Sequence, residues 1–334
     1  MTDIRHRVPM IFPGQASQYV GMARDLAQDP GAAGQWLRGV DGVLGYGLGA
    51  IMAEGPLETL TETHHAQPAI LAHAVAVVLA LRERGIAPSL VAGHSIGEYS
   101  AAAAAGALAP ADALRAVRRR GELMFAAGTE VPGAMAAVMG LSAARVGEVC
   151  REVSARDGVV VLANHNSDAQ VVISGEVAAV AAAGPALTAA GAKRVIPLNV
   201  SGAFHSPLLE GAAARFREFL AALPVADPEV PLVANVSARP VTTAAELAAG
   251  LGRQLTAAVR WHETMELIAA GDGAPPPFVL EVGPGKVLTG LARRAYPGTQ
   301  FIPVGTVEEI EALPALLAGG AAGAGNGTTP PRSA

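Results

Sequence analysis

The sequence carries one cysteine, Cys150, in 334 residues, so no disulfide can close within the chain. No C-x-x-C or H-E-x-x-H spacing occurs, and no metal site is read from the sequence. Aromatic residues make up 4% and charged residues 16%; 24 Lys and Arg against 29 Asp and Glu leave a net charge of −5. Without a basic excess the chain lacks the electrostatic footprint of a nucleic-acid binder. Long hydrophobic runs are missing too. The most apolar window, Ala66 to Leu81, contains Gln67 and His73 and ends at Arg82, Glu83 and Arg84, so it falls short of a membrane span and reads as a buried helix. The opening MTDIRHRVPMIF has neither the apolar core nor the cleavage site of a signal peptide. A cytoplasmic protein with no membrane partner is expected. Sequence repeats are absent.

What is there suits a folded enzyme: 51% hydrophobic residues, swollen by alanine, with 39 Gly and 24 Pro. Short apolar runs alternate with Ala-rich helical stretches: VPMIF at 8–12, a helix over 68–83, SLVAG at 89–93, then a helix from about 97. This alternation predicts an α/β domain with a mostly parallel sheet. From Gly133 the order changes to β-α-β-β-α-β, with Ser142 capping the first helix, which predicts a ferredoxin-like subdomain over 131–199. The large domain then covers 1–130 and 200–318. Ser206-Pro207 starts a helix, VPLVANV a strand, 244–255 a helix, and FVLEVGP a last strand. The segment 319–334, poor in apolar bulk, reads as a disordered tail.

The chemistry points to VAGHSIGEYS, where an apolar strand runs through Gly93-His94-Ser95-Ile96-Gly97 into a helix. In such a nucleophile elbow the glycines allow a tight turn that exposes Ser95 Oγ, while following N–H groups can face an oxyanion. The alternative is an ordinary turn. A serine needs a base. His6, His73 and His262 sit in structural settings, and strand alternation turns His94 to the other face, leaving His64, His65, His165 and His205. His205, in SGAFHSP between a strand and a capped helix, has the rigid setting of a base, although a capping role fits equally. Arg120 lies nearest the apolar stripe Leu114, Val117, Gly121 and Met124 of its helix. A half-buried guanidinium there could hold a substrate carboxylate. Arg115, Arg118 and Arg119 are expected to face solvent.

Taken together, FPGQASQ (12–18), QPA (67–69), GHSIGEYS (93–100), RGELM (120–124), GAFHSP (202–207), RQL (253–255) and EVGPGKVLTGL (281–291) resemble the malonyl-CoA:acyl carrier protein transacylase family. The resemblance runs from Phe12 to about Leu291. It implies an α/β-hydrolase-like large domain with an inserted ferredoxin-like subdomain, and malonyl transfer from malonyl-CoA to a holo acyl carrier protein, or a carrier domain of a polyketide synthase. The route it implies is ping-pong, through an ester on Ser95, with no cofactor beyond the CoA thioester and the carrier's phosphopantetheine. His205 would be the base, and the Gln15 and Ile96 backbone N–H groups the oxyanion hole. Arg120 would bind the malonyl carboxylate, and the Gln254 backbone carbonyl would orient His205, so that the Gln254 side chain should tolerate substitution. Gln67, His94, Asn164, Asn166 and Phe204 would line the acyl and pantetheine cleft; turn and loop capping is the plainer role for Gln67 and the two asparagines.

Two departures stand out. Ala16 replaces a glycine, tolerable unless its φ is positive. SGAFH resembles acyltransferases of polyketide pathways, with the bulky Phe204 expected to narrow the pocket beside the acyl α-carbon. Competing functions are a thioester hydrolase clearing carriers, against which Arg120 argues, a general serine esterase, and a silent docking module. The chain is expected to act as a monomer. An acidic carrier would dock on Arg118 and Arg119, or on Lys286 with Arg293 and Arg294.

Overall fold

A computed structural model of the chain describes residues 4–200 and 202–323. The apolar runs form ten strands: β1 (His6–Phe12), β2 (Ile86–Gly93), β3 (Gly133–Met139), β4 (Val160–Ser167), β5 (Gln170–Glu176), β6 (Arg194–Pro197), β7 (Leu232–Ala234), β8 (Arg239–Val241), β9 (Phe278–Val282) and β10 (Gln300–Val304). The large sheet has the order β10-β9-β1-β2-β7-β8, parallel except for β7 with β8. Its strands alternate in the expected period of two. Met10, Phe12 and Val91 face a core shared with the helices Thr63–Glu83 and Pro110–Glu130. Ile11, Ala92 and Val233 face a second core around Trp261 and Met265 of the helix Trp261–Ala270. The α/β class follows from these two covered faces.

The small sheet, β4-β5-β3-β6, is antiparallel throughout and carries its own core, centred on Val138, Val149, Val171 and Ile173. Its helices, Ala143–Asp157 and Val177–Ala189, complete the βαββαβ order. Ser142 caps the first, accepting from Arg145 N at 3.4 Å. The excursion leaves and returns at one place, for a Cβ on Gly133 would lie 2.4 Å from Ala203 N. Glycine is what lets the two ends touch.

Some boundaries differ from expectation. The helix expected over 68–83 starts at Thr63, with Pro68 inside it. Proline offers no N–H to the carbonyl four residues back, that of His64. Arg118 Nη1 donates to that carbonyl instead, at 3.0 Å, and the helix continues. This 21-residue helix meets the length and hydropathy of a membrane span, yet its apolar window is 83% buried in the fold, the position of a core helix. FVLEVGP is not the last strand, because β10 follows it, and β8 also went unread. Both are sheet edges containing proline, Pro303 and Pro240, which blunts a strand signal and is tolerated at an edge. The helix Val307–Gly323 runs five residues into the segment read as a tail, carried by its Ala and Leu content. The rest of that tail, 324–334, lies outside the described residues.

Candidate active site

β2 ends at Gly93 and the helix Gly97–Ala104 begins four residues later, which forces a sharp turn between them. Ser95 at its apex has φ of 52°, a left-handed conformation that costs a non-glycine residue about 1 kcal/mol or more. The flanking glycines are required by contact: a Cβ on Gly93 would lie 1.9 Å from Gly97 C, and one on Gly97 2.2 Å from Phe12 O. Asn235, at the end of β7, fixes the turn. Its Oδ1 accepts from Ser95 N at 2.8 Å, and its Nδ2 donates to Gly93 O at 2.6 Å.

His205, also left-handed with φ of 56°, faces the serine from the loop ahead of the short helical turn Pro207–Leu209. Ser95 Oγ and His205 Nε2 are 2.8 Å apart. His205 Nδ1 lies 2.9 Å from Gln254 O. A carbonyl can only accept, so Nδ1 carries the proton and Nε2 presents its lone pair to the serine. Burial, reinforced by the Arg120 charge and opposed by the Gln254 carbonyl, pulls the imidazole pKa down to about 3. The base is therefore neutral at physiological pH. Ser206 Oγ holds the loop by donating to Ala203 O at 2.7 Å.

Arg120 is 1% exposed, deeper than a stripe edge implies. Its Nη2 donates to Ser95 Oγ at 3.0 Å and to Gln254 Oε1 at 2.9 Å, and its Nη1 to Gln67 Oε1 at 2.8 Å. Burial lowers its pKa, yet a guanidinium stays charged at neutral pH. Glu98 is the buried carboxylate nearby. It accepts from Asn235 N at 3.2 Å and from Gln254 Nε2 in a short hydrogen bond. Burial raises Glu98 to about 7, against the Gln254 bond, the Asn235 N–H and the Arg120 charge. Gln254 thus joins base, cation and acid.

That arrangement corrects one expectation. The Gln254 side chain bonds Arg120, Glu98 and, at 3.0 Å, Ser95 O, so it is not free to vary. Asn235 and Glu98 were not singled out in the sequence; an asparagine after VPLVA and a glutamate three residues past the nucleophile were the only signals. His94 turns away from Ser95 as alternation predicts, with Nε2 2.8 Å from Asn166 Oδ1 and its ring edge-on to Trp261. Asn164 bridges to Val259, and Phe204 is buried. His64, His65 and His165 stand with Glu62 or Glu263 rather than with the serine. Arg118 does not simply face solvent: it pairs with Glu122 at 2.6 Å and covers the Tyr46 ring. Ala16 has φ of 78°, the one circumstance in which its methyl is strained.

A serine bonded to a neutral histidine, at the elbow after a central parallel strand, defines a serine acyl-transfer enzyme of α/β-hydrolase-like build. The acyl transferase domain family matches residues 10–310. A malonyl CoA-acyl carrier protein transacylase of Bacillus subtilis is 42% identical over 306 residues, covering 91% of this chain and 95% of that one. Its counterpart in Escherichia coli K12 is 43% identical over 285 residues, covering 85% and 91%. Among solved structures, an acyl-carrier-protein S-malonyltransferase from Bartonella henselae has a TM-score of 0.88 at 41% identity, covering 94% of this chain and all of that one. A malonyl-transacylase in complex with its type II polyketide synthase acyl carrier protein has a TM-score of 0.86 at 41% identity, covering 92% and 98%. The chain belongs to the acyl transferase domain family, among the malonyl-CoA:acyl carrier protein transacylases.

Proposed function

We propose that the protein moves malonyl from malonyl-CoA to the phosphopantetheine thiol of an acyl carrier protein through a malonyl ester on Ser95. The observation that carries this reading is Arg120 Nη2, buried and 3.0 Å from a serine oxygen that is itself 2.8 Å from His205 Nε2. A cation beside the nucleophile suits an acyl group that ends in a carboxylate. Ser95 Oγ attacks the thioester carbonyl and gives its proton to His205 Nε2. The oxyanion is met by the N–H groups of Gln15 and Ile96, neither of which donates elsewhere among the described residues. Collapse breaks the C–S bond, and the CoA sulfur takes the proton back from Nε2. The carrier thiol then repeats these steps in reverse sense, giving a ping-pong route with no cofactor. The malonyl carboxylate displaces Gln67 and Gln254 from Arg120; an acetyl group leaves the cation unpaired and forfeits that energy. Gln67, Asn164, Asn166, His94 and Phe204 are the proposed cleft residues. Ser95, His205, Arg120 and Gln254 come from one chain, so a monomer suffices, and the cytoplasm holds its substrates.

Intact-protein mass spectrometry after mixing with malonyl-, methylmalonyl- and acetyl-CoA tests the proposal. A malonyl adduct that is absent in Ser95→Ala and passes to added holo carrier is expected. An adduct lost to water faster than to carrier would instead mean a hydrolase. Comparable loading of malonyl and methylmalonyl would remove the role of Phe204.

A further inference from the structure

A second group of polar side chains lies away from the nucleophile, where the small sheet meets the helix Trp261–Ala270. His165 comes from β4, Asp168 from the turn after it, and His262 and Glu263 from the first turn of the helix. One ligand atom from each of His165, Asp168 and His262 falls within 4.8 Å of the others. His262 Nε2 lies 3.3 Å from Asp168 Oδ1, and His165 Nδ1 lies 3.3 Å from Glu263 Oε2. Two ligands of a tetrahedral zinc ion with bonds near 2.0–2.1 Å stand about 3.3 Å apart. The His262–Asp168 pair already has that spacing.

The backbone fixes this meeting. His165 N donates to Val259 O at 2.9 Å and Val259 N to Ala163 O at 2.8 Å, so β4 is bonded to the segment that leads into the helix. The two rings lie 4.6 Å apart between centroids, tilted 49° to each other, each side chain under one-fifth exposed. Two imidazoles brought together in this way gain little from each other as hydrogen-bonding partners. Glu263 stays beside this group, accepting from Arg260 Nε through Oε1 at 3.1 Å and facing His165 with Oε2.

We propose that His165, His262 and Asp168 bind a divalent first-row transition ion, with zinc as the type, which staples the small sheet to the large domain. Two imidazoles and one carboxylate match the ligand preference of such an ion, with its fourth position open to water. His262 lies far from His165 and Asp168 in the chain, which is why their spacing carried no signal. The staple sits beside the Asn166–His94 hydrogen bond, another side-chain link between the two parts. Binding is independent of the transfer reaction.

The test is calorimetric titration of zinc chloride into untagged, chelator-stripped protein, with thermal melts in parallel. Expected are one ion per chain with Kd below about 10 µM, and a melting temperature that rises as zinc exceeds Kd. His165→Gln, His262→Ala and the exposed Asp168→Asn should each weaken binding tenfold or more, with loading of Ser95 unchanged. His64→Gln, in the other histidine and glutamate group at Glu62 to His65, should bind as wild type. Binding weaker than about 10 µM, or equal in the His165 and His262 variants, overturns the proposal. Because Asp168 is 91% exposed, its substitution leaves folding intact and keeps the test decisive.

Discussion

Arg120 repels the protonated form of the base while it holds the nucleophile, and this opposition has a measurable signature. With His205 drawn down to about 3 by burial and by Arg120, its neutral form prevails through the mildly acidic range. For loading by malonyl-CoA, kcat/KM should stay level from about pH 7 to about pH 5, where an ordinary imidazole has mostly protonated. Arg120→Gln removes the positive charge, so His205 should rise and the acid limb of the profile move to higher pH. An unchanged limb would mean that burial alone sets the base. Ala16 offers a different residue-scale test. A φ of 78° strains its methyl, so Ala16→Gly should stabilise the fold by about 1 kcal/mol in urea unfolding. No gain there would mean that the turn relaxes around the methyl.

At the scale of elements, the elbow was legible because its chemistry is local: strand, Gly-x-Ser-x-Gly and helix are adjacent in the chain. Arg120 was legible as the cation nearest an apolar stripe, though a helical wheel could not reveal that its neighbours would be Gln67, Gln254 and Ser95. His205 could not be separated from other histidines by position alone; only the resemblance chose it. The Gln254 side chain escaped because its partners, at Ser95 to Glu98 and at Arg120, lie more than 130 residues before it in the chain. Asn235 escaped for the same reason, holding the ends of β2 from the end of β7. The short edge strands β8 and β10 were hidden by proline. Gln254→Ala keeps the carbonyl that orients His205 but strands Arg120 and Glu98 in the interior. It should cost about 2–3 kcal/mol of stability and a comparable factor in kcat, at least tenfold. Gln254→Ala with wild-type turnover would restore the backbone-only view.

For the whole molecule, the two sheets were foreseeable in outline from the order of apolar runs, and we place the unit boundaries at 1–130 with 200–318, and 131–199. How the units meet was not foreseeable, since that contact rests on scattered side chains of β3, β4 and β5, such as Met135, Ala137, Ala163 and Val172, that enter the large domain's core. Docking of a carrier also belongs to this scale. Arg118 is committed to Glu122, Tyr46 and the His64 carbonyl, whereas Lys286, Arg293 and Arg294 are exposed around the short helix Val287–Ala292. Charge reversal at these three should raise KM for the carrier severalfold and leave CoA-ester loading unaltered. Equal KM values would move docking to another face. Finally, the contact between Gly133 and Ala203 means that the path out of the large domain and the path back share one doorway. Closing that doorway needs almost no chain, so the excursion with its separate core behaves as a cassette. A hybrid carrying another family member's cassette should fold on this scaffold, and with His205 only two residues past Ala203 any mismatch would be carried straight to the base.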